Sequence, residues 1–314
     1  MKSNILGLHH ITAIAGNAQQ NFDFYTQTLG LRLVKKTVNF DDPGTYHLYY
    51  GDETGAAGTI LTFFPWDGIG QGTEGIGMAT EIGYSVPVGS HEFWLERFGR
   101  DLVKSKDISE RFGEQVLAFK DPDGLSLSLI IPSTTDLRTP WETNEIKKDT
   151  ATKGFHSTTL TLKNIDETAK ILTDLFGYRL LAQEENRYRF ITDAVENAAI
   201  VDLLEVPDGV RGRSAAGTNH HVAFRVKDEA IQMELREQIL SKNLQITPKI
   251  DRDYFYSLYF REPGGVLFEI ATENPGFTVD EPLNELGTHL KLPHQHEHLR
   301  EDIEKLLPPL TDKI

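Results

Sequence analysis

The sequence predicts an α+β protein built from four βαβββ modules arranged as two pseudo-symmetric pairs. Three observations carry that reading. One outline recurs four times along the 314 residues: an apolar strand, an amphipathic helix, then a meander of strands ending in an apolar one. Two meanders close in related hairpins, FKDPDGLSLSLI and FREPGGVLFEIA. Two opening strands carry a doubled histidine, His9-His10 and His220-His221.

The first module opens with LHHITAIAG, followed by the helical pattern AQQNFDFYTQTLG, which Gly30 stops as a C-terminal cap. Its later strands read RLVKKTVNF, TYHLYYGD and TILTFFPW. The second opens with EIGYSVPVG, continues through the helix HEFWLERFGRDLV and ends in LAFKDPDGLSLSLIIP. The third comprises GFHSTTLTL, the helix NIDETAKILTDLFG and the strand AAIVDLLEV. The fourth comprises HHVAFRVKD, the helix EAIQMELREQILSKN and YSLYFREPGGVLFEIAT. Pro-Asp-Gly and Pro-Gly-Gly are turn signals between paired strands. Residues 133–150 are polar and aperiodic, so they read as a linker between an N-terminal domain (1–132, modules one and two) and a C-terminal domain (151–273, modules three and four). Residues 274–314 form an extension whose LREDIEKLL predicts a short helix stopped by Pro308 and Pro309.

Composition excludes several function classes. Hydrophobic residues make up 39% and charged residues 25%, as in soluble globular chains. A net charge of −15 argues against nucleic acid or an anionic membrane as partner. No apolar run is long enough to span a bilayer, and the N-terminus lacks the apolar core of a signal peptide. The absence of cysteine fits a reducing cytoplasm and restricts any metal site to histidine and oxygen ligands, which suit iron, manganese or zinc.

Aligning the opening strands places His10, Gly83, His156 and His221 at one repeat position, with a shift of two defensible at Gly83. Aligning the closing strands brings Thr62, Ser128, Asp202 and Glu269 together. Pairing modules three and four would collect His156, Asp202, His221 and Glu269. Pairing one with four would collect His10, His221 and Glu269, with Thr62 in the fourth position. The matched double histidines favour the second arrangement, leaving His156 and Asp202 as a degenerate second site. Glu269 sits in an apolar strand, where an inward carboxylate needs a cation to offset its burial.

Four such modules resemble the vicinal oxygen chelate superfamily of glyoxalases, fosfomycin-resistance proteins and extradiol dioxygenases. The tracts LHHITAIAG, TNHHVAFRV and DRDYFYSLYFREPGGVLFEIAT are similar to the hydroquinone ring-cleaving dioxygenases, including those linked to methylhydroquinone and quinone resistance. That resemblance implies Fe(II), or Mn(II), held by His10, His221 and Glu269, with open positions for a small aromatic substrate and O2. It selects His10 and His221 over their neighbours. By the same resemblance His9, Thr12 and His220 surround the ligands, Tyr259 acts as an acid/base partner and Arg252 as an anion anchor. Related proteins are often multimers, so a homo-oligomer is an expectation.

The resemblance also admits a glyoxalase-like isomerase or thiol transferase, which commonly has a second carboxylate where Thr62 stands, and a metal-free aromatic-binding protein. Strand alternation predicts that only one histidine of each pair faces a given cavity. HQHEHLRED reads as a solvated surface rather than a metal site, His47 and His91 as surface or packing residues, and Arg252 as a partner for Asp251 or Asp253 equally well.

Overall fold

The computed structural model describes residues 4–311. Module one contributes β1 (Leu8–Ala15), β2 (Arg32–Val38), β3 (Tyr46–Gly51) and β4 (Ile60–Pro65). Module two gives β5 (Met78–Ser85), β6 (Ser109–Arg111), β7 (Glu114–Lys120) and β8 (Ser126–Ile131). Module three gives β9 (Phe155–Leu162), β10 (Arg179–Glu184), β11 (Arg187–Ile191) and β12 (Ile200–Glu205). Module four gives β13 (Thr218–Val226), β14 (Ile250–Asp251), β15 (Phe255–Arg261) and β16 (Leu267–Pro275).

Each module carries its helix after the first strand: α1 (Ala18–Asp23), α2 (His91–Arg100), α3 (Asp166–Lys170) and α4 (Glu229–Ser241). Asn17 caps α1 by accepting from the Gln20 backbone N–H at 2.9 Å, and Asp228 caps α4 through Ile231 at 3.1 Å. Helices α1 and α3 both run into a π turn, at Phe24–Thr28 and Ile171–Leu175, a repeat feature that periodicity does not show. Gly30 follows at φ +68, a left-handed conformation that favours glycine, and a Cβ there would also press on the end of the Ile146 side chain at 2.5 Å. Both predicted hairpin turns form, joining β7 to β8 and β15 to β16.

The strands make two eight-stranded sheets. One runs β14-β15-β16-β13-β1-β4-β3-β2 and the other β10-β11-β12-β9-β5-β8-β7-β6. Modules one and four therefore share a sheet, as do two and three, so each sheet takes one module from either side of the linker. The seams are the antiparallel pairs β1/β13 and β5/β9. All eight residues of β1 are buried, because one face packs on helices and the other lines a cavity. Residues 133–150 form no helix or strand; Arg138 and Thr150 tie them to Phe155 and Trp94. The extension contains α5 (Arg300–Leu306), within the predicted helix. Among the described residues no helix is long and apolar enough to cross a membrane.

Candidate metal centre

Two rows of residues cross the seam between β1 and β13. One runs Glu269–Ala223–His10 across β16, β13 and β1. The other runs Thr62–Thr12–His221 across β4, β1 and β13. Residues opposite one another on paired strands point to the same face, so both rows are presented together. A pseudo-twofold axis exchanges His10 with His221 and Glu269 with Thr62.

The rows bring three ligand-type atoms together. Glu269 Oε2 lies 2.9 Å from His221 Nε2 and 3.2 Å from His10 Nε2, and the two nitrogens are 3.4 Å apart. His10, His221 and Glu269 are the one cluster among the described residues whose geometry could hold a metal ion. Glu269 is wholly buried, and its Oε1 accepts from Ser257 Oγ at 2.5 Å while Oε2 has no hydrogen-bond partner. A buried carboxylate oxygen left bare toward two imidazole nitrogens fits a cation. Burial would push the Glu269 carboxyl up, but His10 and His221 hold it well below its ordinary range.

Each candidate ligand histidine is contacted by the histidine before it. His9 Nδ1 is 2.9 Å from His10 Nδ1, and His220 Nδ1 is 2.8 Å from His221 Nδ1. If each ligand Nε2 is to offer a lone pair, its Nδ1 carries the proton and donates it to the neighbour's bare Nδ1. Burial, and next the adjacent ligand histidine, bring both His9 and His220 down to about 3, so both are neutral acceptors. These contacts arise because the pairing is irregular twice, between Leu8 and His10, which leaves His9 unpaired on β1, and between Thr12 and Ala13, which leaves His220 unpaired on β13; both interrupt strict alternation. His220 and His221 consequently both line the cavity, contrary to the one-per-pair expectation.

The cavity measures about 420 Å³ and opens between the β2–β3 and β14–β15 loops. Aromatic rings of Phe64, Trp66, Phe255 and Tyr259 line it beside His10 and His221. Tyr259 is the cross-strand partner of Glu269, its ring 5.6 Å from His221; burial and then the Glu269 charge push its phenol up. Arg252 is mostly buried there and pairs with Asp41 at 3.4 Å, rather than with Asp251 or Asp253. Thr12 Oγ1 is 2.8 Å from Thr62 Oγ1, so Thr12 meets the fourth position and not a histidine directly.

Residues missed in the sequence complete this chain. His47 Nε2 is 2.9 Å from Thr62 Oγ1, and its Nδ1 is 2.9 Å from the Tyr49 hydroxyl. His47 lines the cavity, while His91 is buried with Nε2 on the Leu129 carbonyl. The readable signal was the spacing of His47 and Tyr49 on one strand face; the missing information was that Tyr49 pairs with Thr62 across β3 and β4.

The second sheet corrects the repeat alignment. Gly83 pairs with Ser157 and Ser128, and Thr159 with Glu81 and Asp202. Glu81 and Ser157, rather than Gly83 and His156, therefore stand where His10 and His221 do. His156 turns to Glu114 at 3.2 Å, and Asp202 to Arg189 at 2.9 Å, so among the described residues they are not brought together as a ligand cluster.

Comparison with known proteins agrees with this architecture. The model of the Glyoxalase/Bleomycin resistance protein/Dioxygenase superfamily matches residues 7–129 and 154–270. The chain is 45% identical to the Bacillus subtilis (strain 168) protein named "Putative ring-cleaving dioxygenase MhqO", covering 98% of each. It is 35% identical to the chlorohydroquinone/hydroquinone 1,2-dioxygenase of Sphingobium indicum, covering 100% of this chain and 98% of that one. A crystal structure of a "putative dioxygenase" from Bacillus subtilis superposes with a TM-score of 0.94 at 44% identity, covering 99% of both chains. Glyoxalase I from Zea mays, 14% identical with a TM-score of 0.65 over 90% of this chain and 97% of that one, shares the fold. The chain belongs to the Glyoxalase/Bleomycin resistance protein/Dioxygenase superfamily.

Proposed function

We propose that this protein is a dioxygenase that opens the ring of a hydroquinone-like aromatic with O2, using Fe(II) held by His10, His221 and Glu269. One observation carries the reading: the bare Glu269 Oε2 faces two imidazole nitrogens at the base of an aromatic-lined cavity. Full-length similarity to proteins named as ring-cleaving and hydroquinone dioxygenases supports the reaction class. Thr62, where a second carboxylate would sit as fourth ligand, weighs against the isomerase reading. Two neutral imidazoles and one carboxylate also accept Mn(II).

When bound, the metal lets an ionised ring hydroxyl and O2 meet in one coordination sphere. The chain supplies the rest. His9 and His220 hold the ligand histidines in the tautomer that offers Nε2. Thr62 leaves the fourth position without a carboxylate and so without added charge, and the Thr12 hydroxyl fixes its side chain. Arg252 places a cation where the ring hydroxyl ionises, and Tyr259, kept protonated by burial and by Glu269, offers a donor to an oxygen on the ring. The apolar rings of Phe64 and Phe255 limit water around the bound aromatic.

The test is O2 uptake by anaerobically Fe(II)-loaded protein given methylhydroquinone, chlorohydroquinone and catechol in turn. Uptake with loss of aromatic absorbance supports the reading. One bound metal per chain without uptake returns the isomerase class, and absence of metal returns a binding protein.

A further inference from the structure

The HQHEH tract lies in the extension, which binds both edges of the first sheet. The extension crosses edge strand β2, where Lys291 N donates to Lys36 O at 2.9 Å and buried Lys35 pairs with Asp280 at 2.6 Å and Glu281 at 2.5 Å. It then reaches the cavity mouth from outside. Gln295 Nε2 and His296 Nε2 both donate to the Phe40 carbonyl, at 2.9 and 2.8 Å. The His294 backbone N–H donates to Asp253 Oδ2 at 3.1 Å, and its Nδ1 donates to Oδ1 of the same carboxylate. One three-residue segment thus grips the β2–β3 loop and the β14–β15 loop.

Arg252 is held between those two points. Its guanidinium lies 5.2 Å from the Phe40 ring and 5.5 Å from the Tyr259 ring. Asp41, its ion-pair partner at 3.4 Å, is 80% exposed, and such a pair fixes little alone. The turn carrying Arg252 is unusual, since Asp253 adopts a left-handed φ of +62, held by Asp251 Oδ1 on its backbone N–H at 2.8 Å. Tyr259 meets the guanidinium from its own hairpin, while Phe40 and Asp41 meet it from the β2–β3 loop, so its position depends on how the two loops are held together.

We propose that His294, Gln295 and His296 form a positioning element that fixes Arg252 at the cavity mouth and so sets the affinity for an ionised ring hydroxyl. This rests on the reading above, in which Arg252 meets the substrate. The two loops come from opposite edges of an open sheet, and the segment and the Asp41–Arg252 pair bridge them. Loosening the segment lets the guanidinium wander while leaving His10, His221 and Glu269, on the central strands and β16, undisturbed.

The experiment compares full-length wild type with His294→Ala/His296→Ala and with His294→Asn/His296→Gln, whose amide nitrogens stand where the ring nitrogens donate. Three quantities are measured: metal content, anaerobic Kd and KM for methylhydroquinone, and amide hydrogen exchange of residues 38–42 and 250–255 without substrate. The alanine pair should keep its metal, raise Kd and KM roughly tenfold with kcat within about twofold, and speed exchange in both segments. The amide pair should restore all three. Unchanged Kd in the alanine pair, with or without faster exchange, overturns the proposal, as does failure of the amide pair to restore affinity. If wild type neither binds methylhydroquinone nor consumes O2, the functional reading fails separately. Exchange at 250–255 then decides whether the segment holds the Arg252 turn.

Discussion

The two sheets share one plan and part at four positions. Where the first has His10, His221, Glu269 and Thr62, the second has Glu81, Ser157, Asp202 and Ser128. Both place acidic side chains on a buried row. In the second, the chain supplies the cation itself: Arg111 bonds Glu81 at 2.7 Å, Arg189 bonds Asp202 at 2.9 Å and Glu114 at 2.6 Å, and Arg187 lies 3.6 Å from Asp202. In the first, no arginine or lysine among the described residues forms an ion pair with Glu269, whose neighbours are the imidazoles of His10 and His221. A buried carboxylate needs compensating charge at each seam; the second supplies it from arginine, and the proposed metal would supply it in the first.

The comparison breaks most visibly at the ligands. Glu269→Ala or His221→Ala should abolish metal retention and turnover, whereas His156→Ala should leave both unchanged; elemental analysis with O2 uptake decides. Thr62→Glu introduces a second carboxylate at the fourth ligand position and should keep the metal while slowing O2 uptake about 100-fold, because a coordination position is filled. His9→Ala should weaken metal affinity roughly 10–100-fold by releasing the His10 ring, as read by competition with a chelator.

The second sheet should respond through stability. Arg189→Met strands Asp202 and Glu114 and should cost about 3–5 kcal/mol in denaturant unfolding without changing metal content. Glu114 is held down to about 2; burial opposes this, and His156 and Arg189 outweigh it. Its folded pKa lies below its unfolded one, so its contribution is complete above about pH 4.5 and lost as pH falls toward 2. The drop in Tm between pH 7 and pH 3 should therefore shrink in Glu114→Gln.

Much of this was legible in the sequence because burial and chemistry coincide there. The doubled histidines and the lone carboxylate in VLFEIAT pointed to the right strands and favoured pairing the outer modules, while the resemblance to the ring-cleaving dioxygenases selected His10 and His221 over their neighbours. What local sequence does not carry is register. Each seam is irregular at two points, between Leu8 and His10 and between Thr12 and Ala13 in the first, between Ala79 and Glu81 and between Gly83 and Tyr84 in the second, so positions counted along the chain slip by one or two residues against those aligned in space. That is why Gly83 and His156 stood in for Glu81 and Ser157. His47 and Asp41 were missed for a related reason, since their partners Thr62 and Arg252 lie on other elements.

The most direct test is anomalous diffraction from crystals of the Fe(II)-loaded protein. The account predicts one metal peak bounded by His10 Nε2, His221 Nε2 and Glu269 Oε2, and none among Glu81, Ser157 and Asp202. A peak at His156 and Asp202, or no metal held between His10, His221 and Glu269, would contradict it.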